Sequence, residues 1–121
     1  MYIVDSNLII YSSQSAYAYL RPIIGSSDAS VSEITRLETL GFNRIEPEDK
    51  IYFESLFALI NVHSVNKKTI EKAIELRQTK KMSVGDSIIA ATALLLNLEL
   101  YTNNTSDFSF IKSLKIFDPT V

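Results

Sequence analysis

Short apolar runs alternate with helix-patterned stretches along nearly the whole chain, and this alternation limits the fold more than any other feature. A strand-like run opens the sequence at Met1 to Asp5, and further strands are expected at Ala29–Ser32, Val62–Val65, Leu98–Thr102 and Leu114–Phe117. Helical spacing is read over Asn7–Tyr11, Ala16–Ile24, Ile34–Gly41, residues 47–60, Lys67–Thr79 and Val84–Leu96. Pro47 suits a first helical turn, and Glu48-Asp49 put negative charge near the positive end of that helix. Its expected apolar stripe is Ile51, Phe53, Leu56, Phe57 and Ile60; the next helix reads as amphipathic, with Ile70, Ala73, Ile74 and Arg77 in helical register. Val84–Leu96 is apolar nearly all round and is expected at the centre of the molecule. Strands alternating with helices imply an α/β fold with a parallel sheet covered on both faces.

A chain of 121 residues with 46% hydrophobic content has the size of one compact domain, and no linker or repeat divides residues 1–121. The absence of cysteine excludes disulfides, thiolate metal sites and a Cys nucleophile, and a single His63 cannot build a His-rich zinc site. Gly25, Gly41 and Gly85 are the only glycines, too few and too scattered for a phosphate-cradling loop. The longest strongly apolar stretch, Ile88–Leu96, is far shorter than a membrane-spanning helix. No secretory signal pattern is visible, so a cytoplasmic protein is expected.

Four acids occupy positions that solvation alone would not select. Asp5 closes the first strand, Asp107 follows the strand near 98–102, and Glu38 and Asp86 lie in helical patterns that can face the same place. Ligands of open parallel sheets collect beyond the carboxyl ends of the strands, and oxygen-only clusters suit Mg²⁺ or Mn²⁺. Each acid also has a plain structural reading. Asp5 heads Asp5-Ser6-Asn7 and can cap a helix, Ser83-Val84-Gly85-Asp86 has capping-box form, and Asp107 can cap a helix over Phe108–Ile111. A capping acid can still present an oxygen to a cation. Glu38 stands between Leu37 and Leu40 on a helix expected to be half-buried, where a carboxylate needs a partner. Glu33 competes for its role but points about 140° away on the same helix. Asn104 and Thr102 offer neutral oxygens nearby.

The net charge of −2 lacks the basic footprint of a nucleic-acid binder. Setting the four acids aside leaves +2 on the remainder, so cation binding at the cluster would expose a mildly basic surface. Lys67-Lys68, Lys80-Lys81, Arg36 and Arg44 are the candidates for phosphate contact, or else solvated helix ends.

Four segments in order, MYIVDSNLIIY, SEITRLETLGF, GDSIIAATAL and LYTNNTSDF, resemble PIN domains of the VapC type, and the resemblance covers essentially the whole chain. It implies a three-layer α/β/α fold with a mainly parallel sheet and a Mg²⁺- or Mn²⁺-dependent endoribonuclease. It further implies the toxin of a toxin–antitoxin pair, a VapB-like antitoxin partner and a homodimeric habit. By position Asp5, Glu38, Asp86 and Asp107 would be the catalytic and metal-holding quartet, with Ser6 and Asn104 in support. Two residues depart from the family pattern: Gly85, where proline is frequent and whose freedom would loosen the turn presenting Asp86, and Asn103, where a basic residue is frequent. A homodimer and an antitoxin groove are also expected from the early aromatics Tyr11, Tyr17 and Tyr19 with Leu20, Phe53 and Phe57. The rivals are a non-catalytic domain of the same fold and a receiver-type phosphoacceptor aspartate. The second lacks the paired acid after the first strand, since Ser6 follows Asp5.

Overall fold

The computed structural model describes residues 1–121, and its centre is a five-stranded sheet in which every pairing is parallel. The strands are β1 (Tyr2–Val4), β2 (Ala29–Ser32), β3 (Asn61–His63), β4 (Glu99–Tyr101) and β5 (Ile116–Phe117), in spatial order β3-β2-β1-β4-β5. Between them run α1 (Ser6–Ser12), a 3₁₀ turn at Ser15–Leu20, α2 (Arg21–Ile24), α3 (Glu33–Leu40), α4 (Pro47–Leu59), α5 (Lys67–Thr79), α6 (Val84–Leu96) and α7 (Thr105–Phe108).

Alternate residues of β1 build the two cores. Val4 packs with Leu8, Ile9, Leu20, Ile24, Phe53 and Phe57, so α1, α2 and α4 cover one face. Ile3 packs with Ala73, Leu76, Ile88, Ile89 and Phe108, so α5, α6 and α7 cover the other. This is the expected α/β/α sandwich. Parallel crossovers are right-handed, so helices on opposite faces carry the chain in opposite directions along the sheet. The chain steps outward from β1 through β2 to β3 with one helical layer, then returns across β1 to β4 and β5 with the other. The direction therefore reverses between β1 and β4, and that junction opens a crevice at their carboxyl ends.

The apolar α6 is the central helix anticipated from its composition: Ile88 to Ala93 are all buried. Asn97 ends it in the left-handed region at φ 54°, a conformation that Asn tolerates better than most residues. No helix is long and apolar enough to cross a membrane.

Several local expectations are corrected. Ala16–Ile24 is not one helix, because Pro22 has no N–H for an interior turn; Tyr17 leaves helical geometry and α2 restarts at Arg21 with Pro22 in its first turn. The last short helix is Thr105–Phe108 rather than Phe108–Ile111, so Asp107 lies inside it and does not cap it. The third and fifth strands are Asn61–His63 and Ile116–Phe117 instead of the longer runs expected. In α5 the buried residues are Thr69, Ala73 and Leu76, so of the positions read only Ala73 is buried, and Ile70 and Ile74 face out. In α4 Phe53 and Phe57 are buried and Ile51 is exposed.

Candidate active site

The crevice between β1 and β4 is closed by a direct link. Asp5 follows β1, Thr102 follows β4, and the Thr102 hydroxyl donates to Asp5 Oδ2 at 2.7 Å. Asp5 Oδ1 accepts from the Ser6 N–H at 2.8 Å, which also makes Asp5 the N-cap of α1. The capping reading of Asp5 is thus correct, and it leaves the residue at the strand-end crevice. Its side chain is 3% exposed.

Ser6 carries the next connection. Its hydroxyl donates to Glu38 Oε1 at 2.7 Å and lies 2.9 Å from Thr35 Oγ1. A serine has one hydroxyl proton; spent on the carboxylate, it leaves Thr35 as the donor in the second bond. Thr35 is three residues before Glu38 and shares its helix face. The buried residues of α3 are Thr35 and Thr39, with Thr39 Oγ1 donating to the Thr35 carbonyl at 2.8 Å. Leu37 is 66% exposed, and Glu38 is exposed as well. The expected half-buried leucine face is therefore incorrect: the hydroxyls turn inward. Glu33 pairs with Arg36 on the surface, which removes Glu33 as a competitor and Arg36 as a free cation.

Asp86 stands in the first turn of α6, whose N-cap Ser83 accepts from the Asp86 N–H at 3.1 Å. That bond fixes the turn that a glycine at 85 was expected to loosen. What Gly85 supplies is space, since a Cβ there would stand 2.5 Å from Glu38 Oε2. The Glu38 carboxylate lies over the start of α6 because residue 85 has no side chain. Asp107, on α7, is exposed and lines a pocket with Asp86 and Ser83. Asn104 engages Thr102 Oγ1 through its backbone N–H at 2.9 Å, and its side chain caps nothing. Asn103 turns toward the Tyr11 hydroxyl.

Burial pushes the Asp5 carboxyl from 3.8 up to about 6; the charges of Asp86 and Glu38 add to the rise, and the Thr102 and Ser6 hydrogen bonds oppose it. Asp86 is raised too, first by burial and then by the charges of Asp107 and Glu38, against a hydrogen bond from Ser83. The four acids share one field, yet no three Asp, Glu or His side chains stand close enough together to cage an ion as they are placed. None of the four is ion-paired, the chain's one salt bridge being Arg36–Glu33. Four carboxylates with hydroxyl neighbours and no ion-pair partner are an oxygen-only donor set, and the group such a set fits is a hard divalent cation. Of these interactions, Thr35 and the clearance at Gly85 were not anticipated. The i to i+3 spacing of Thr35 and Glu38 was the available signal for the first; the second needs the packing of α3 on α6.

A family model described as PIN domain matches residues 2–112. A protein of Rickettsia bellii (strain RML369-C) named Ribonuclease VapC is 29% identical over 109 residues, 82% of this chain and 74% of that one. A solved toxin–antitoxin complex from Klebsiella pneumoniae superposes with a TM-score of 0.79 at 27% identity, covering 98% of both chains. A VapBC-1 structure from nontypeable Haemophilus influenzae gives 0.79 at 26% identity, covering 99% of this chain and 98% of that one.

Proposed function

The chain belongs to the PIN-domain family, and from that premise we propose that it is a Mg²⁺- or Mn²⁺-dependent endoribonuclease, the toxin of a toxin–antitoxin pair. The observation that carries this reading is the set of four unpaired carboxylates at the crevice where the sheet reverses direction. The likeness to a protein named Ribonuclease VapC and to solved toxin–antitoxin complexes supports it. The whole chain, residues 1–121, acts as one unit, in the cytoplasm.

In this reading Asp5 and Asp86 would hold the cation directly, Glu38 would bind it or orient water, and Asp107 would serve as a second-metal or water-mediated ligand. The bound cation would acidify a water and stabilise the leaving 3′ oxygen during phosphodiester hydrolysis. The protein's own part is to hold carboxylates in place beforehand. Asp5 is fixed by two hydrogen bonds, so little rotamer freedom is lost when it binds. Ser6, itself held by Thr35, bonds one Glu38 oxygen and leaves the other at the Gly85 clearance. Exposed Asp107 is free to turn inward and complete the set. No side chain serves as nucleophile, and the receiver-type alternative has no support in a PIN-family chain.

Partners follow from the same reading: an RNA substrate, a VapB-like antitoxin and a second copy of the chain. Leu20, Phe53 and Phe57 are buried, so the dimer and antitoxin surfaces cannot rest on them as the sequence suggested. The exposed apolar residues include Leu37, Ile70, Ile74 and Val84, with Tyr19, Phe42, Ile51 and Leu59 elsewhere. An antitoxin arm bearing Arg or Lys would find the unpaired carboxylates and compete with the cation.

The test is cleavage of RNA by the purified chain with Mn²⁺, with chelator, and after Asp86→Asn. Cleavage is expected only with metal, and the folded variant should be slower by orders of magnitude. An Asp86→Asn protein cleaving at the wild-type rate would refute the assignment.

A further inference from the structure

The connection from α5 to α6 is short, Lys80 to Ser83, and it is held from both sides. Met82 is buried in the core under α6, and from the last turn of α5 Arg77 donates through Nε to the Met82 carbonyl at 3.1 Å. Lys80 Nζ lies 5.2 Å from the centre of the Phe110 ring. Arg77, Lys80 and Lys81 therefore extend from a fixed backbone. Together with Ser83, Asp86 and Asp107 they line a pocket of about 540 Å³.

The charges of this pocket have not closed on one another. None of its three cations forms a salt bridge with Asp86, Asp107 or any other carboxylate, although both signs line the same cavity. A surface ion pair adds little to stability, so its absence costs the fold little and leaves the cations and the acids without ionic partners. An occupant matched to both walls is anionic toward the cations and cation-bound toward the acids. A phosphodiester meets that description. With Nε engaged, Arg77 still has two terminal nitrogens that can grip phosphate oxygens in fork geometry.

We propose that Arg77, Lys80 and Lys81 seat the backbone phosphate adjoining the scissile one in a single RNA strand, so that the substrate crosses the α5–α6 connection to reach the carboxylates. This rests on the nuclease reading above and adds the course of the strand. Lys81 is a substrate-binding residue in this arrangement, and Arg77 both binds and positions, since it also fixes the connection through Met82. Lys67 and Lys68, at the opposite end of α5, take no part.

The test compares Lys80→Gln/Lys81→Gln with its parent, both in an Asp86→Asn background that holds cleavage off. Both lysines are exposed, and removing them leaves Met82 and the Arg77 bond in place. The probe is a short labelled single-stranded RNA of mixed sequence, titrated across a range of KCl. The double variant should bind roughly five- to tenfold more weakly, and its log–log salt slope should be shallower by about 0.7 for each phosphate that is no longer neutralised. Lys80→Arg/Lys81→Arg should restore the slope, which a purely structural role would not require. Equal affinity and slope in variant and parent, or a parent that binds no RNA, would overturn the proposal. Equal loss of binding to polyglutamate would reassign the pocket to an acidic protein segment. Failure of the nuclease reading has a different signature: metal-loaded wild type leaves RNA intact while binding still depends on the lysines.

Discussion

Asp5→Asn should stabilise the metal-free protein at neutral pH, although it removes a residue central to the site. Asp5 titrates at about 6 in the fold against 3.8 for the free side chain, with burial as the leading cause. At about 1.4 kcal/mol per pH unit, keeping it charged costs roughly 3 kcal/mol above pH 6. Between about pH 4 and 6 the native state binds more protons than the unfolded chain, so stability falls as pH rises across that window and then levels off. Asp86, raised in the same direction, deepens the fall. Asparagine keeps the shape and the acceptor for the Ser6 N–H but reverses the bond to Thr102, whose hydroxyl proton then lacks its acceptor at a cost of about 1 kcal/mol. The net gain at pH 7.5 is therefore about 2 kcal/mol. Urea unfolding of chelated protein at several pH values measures it. The wild-type profile should slope downward from pH 4 to 6, and the variant profile should be flatter and higher above pH 6. A wild-type profile flat through that window, with a variant no more stable at pH 7.5, would show that Asp5 carries no such strain.

Saturating Mn²⁺ should offset the same penalty, raising wild-type stability by about 2.7 kcal/mol at a hundredfold excess over its dissociation constant, while Asp5→Asn gains much less; matched thermal melts decide this. Gly85→Ala should fold normally, because the atom in the way is the end of a flexible side chain and alanine favours helix by roughly 0.5–1 kcal/mol. Its RNA cleavage should fall at least tenfold through displacement of Glu38, and a variant as active as wild type would refute the clearance argument. Thr35→Val leaves Ser6 without its donor; about 1 kcal/mol of stability should be lost, read as a lower urea midpoint at unchanged slope. Light scattering at tens of micromolar should give a dimer, and Leu37→Glu/Ile74→Glu should shift it to monomer; a wild-type monomer removes the dimer without touching the site.

The parts of the fold legible in the sequence were those set by periodicity within a segment. Pro47 opens α4 and Ser83 caps α6 as read from the sequence, while Ser32 before α3 and Asn66 before α5 cap their helices without having been singled out. Burial phase was less legible, because α3 and α5 place threonines inward and leucine or isoleucine outward. Thr39 and Thr69 bond within their own helix or its cap and Thr35 bonds Ser6 on α1, so their burial costs little, and no composition rule separates them from exposed threonines. Asp5, Asp86 and Asp107 were legible because each sits at a strand end or in the first turn of a helix, whereas Glu38 lies in the second half of α3 and drew notice for a leucine face that the fold turns outward. The support of these acids was not legible, because the Ser6–Glu38 and Asp5–Thr102 bonds span 32 and 97 residues of sequence.

Asp5 joins folding to function in one carboxylate. Its Oδ1 caps the first helix and its Oδ2 ties β1 to β4, so the acid holds together the crevice in which it stands. An uncharged asparagine would do that work with less cost of burial. The chain instead keeps a charge that opposes folding above pH 6, next to three more acids and with no cation of its own to pair. Stability alone does not select such an arrangement; a ligand that arrives with positive charge does, because the repulsion it relieves adds to the affinity of the site. The missing side chain at Gly85 belongs to the same account. It gives up helix propensity at the second position of α6 so that a fourth element, α3, can bring Glu38 within the field of Asp5 and Asp86. If these concessions are the origin of the metal response, Asp5→Asn and Gly85→Ala should both lose Mn²⁺ stabilisation while matching or exceeding the wild type in its absence.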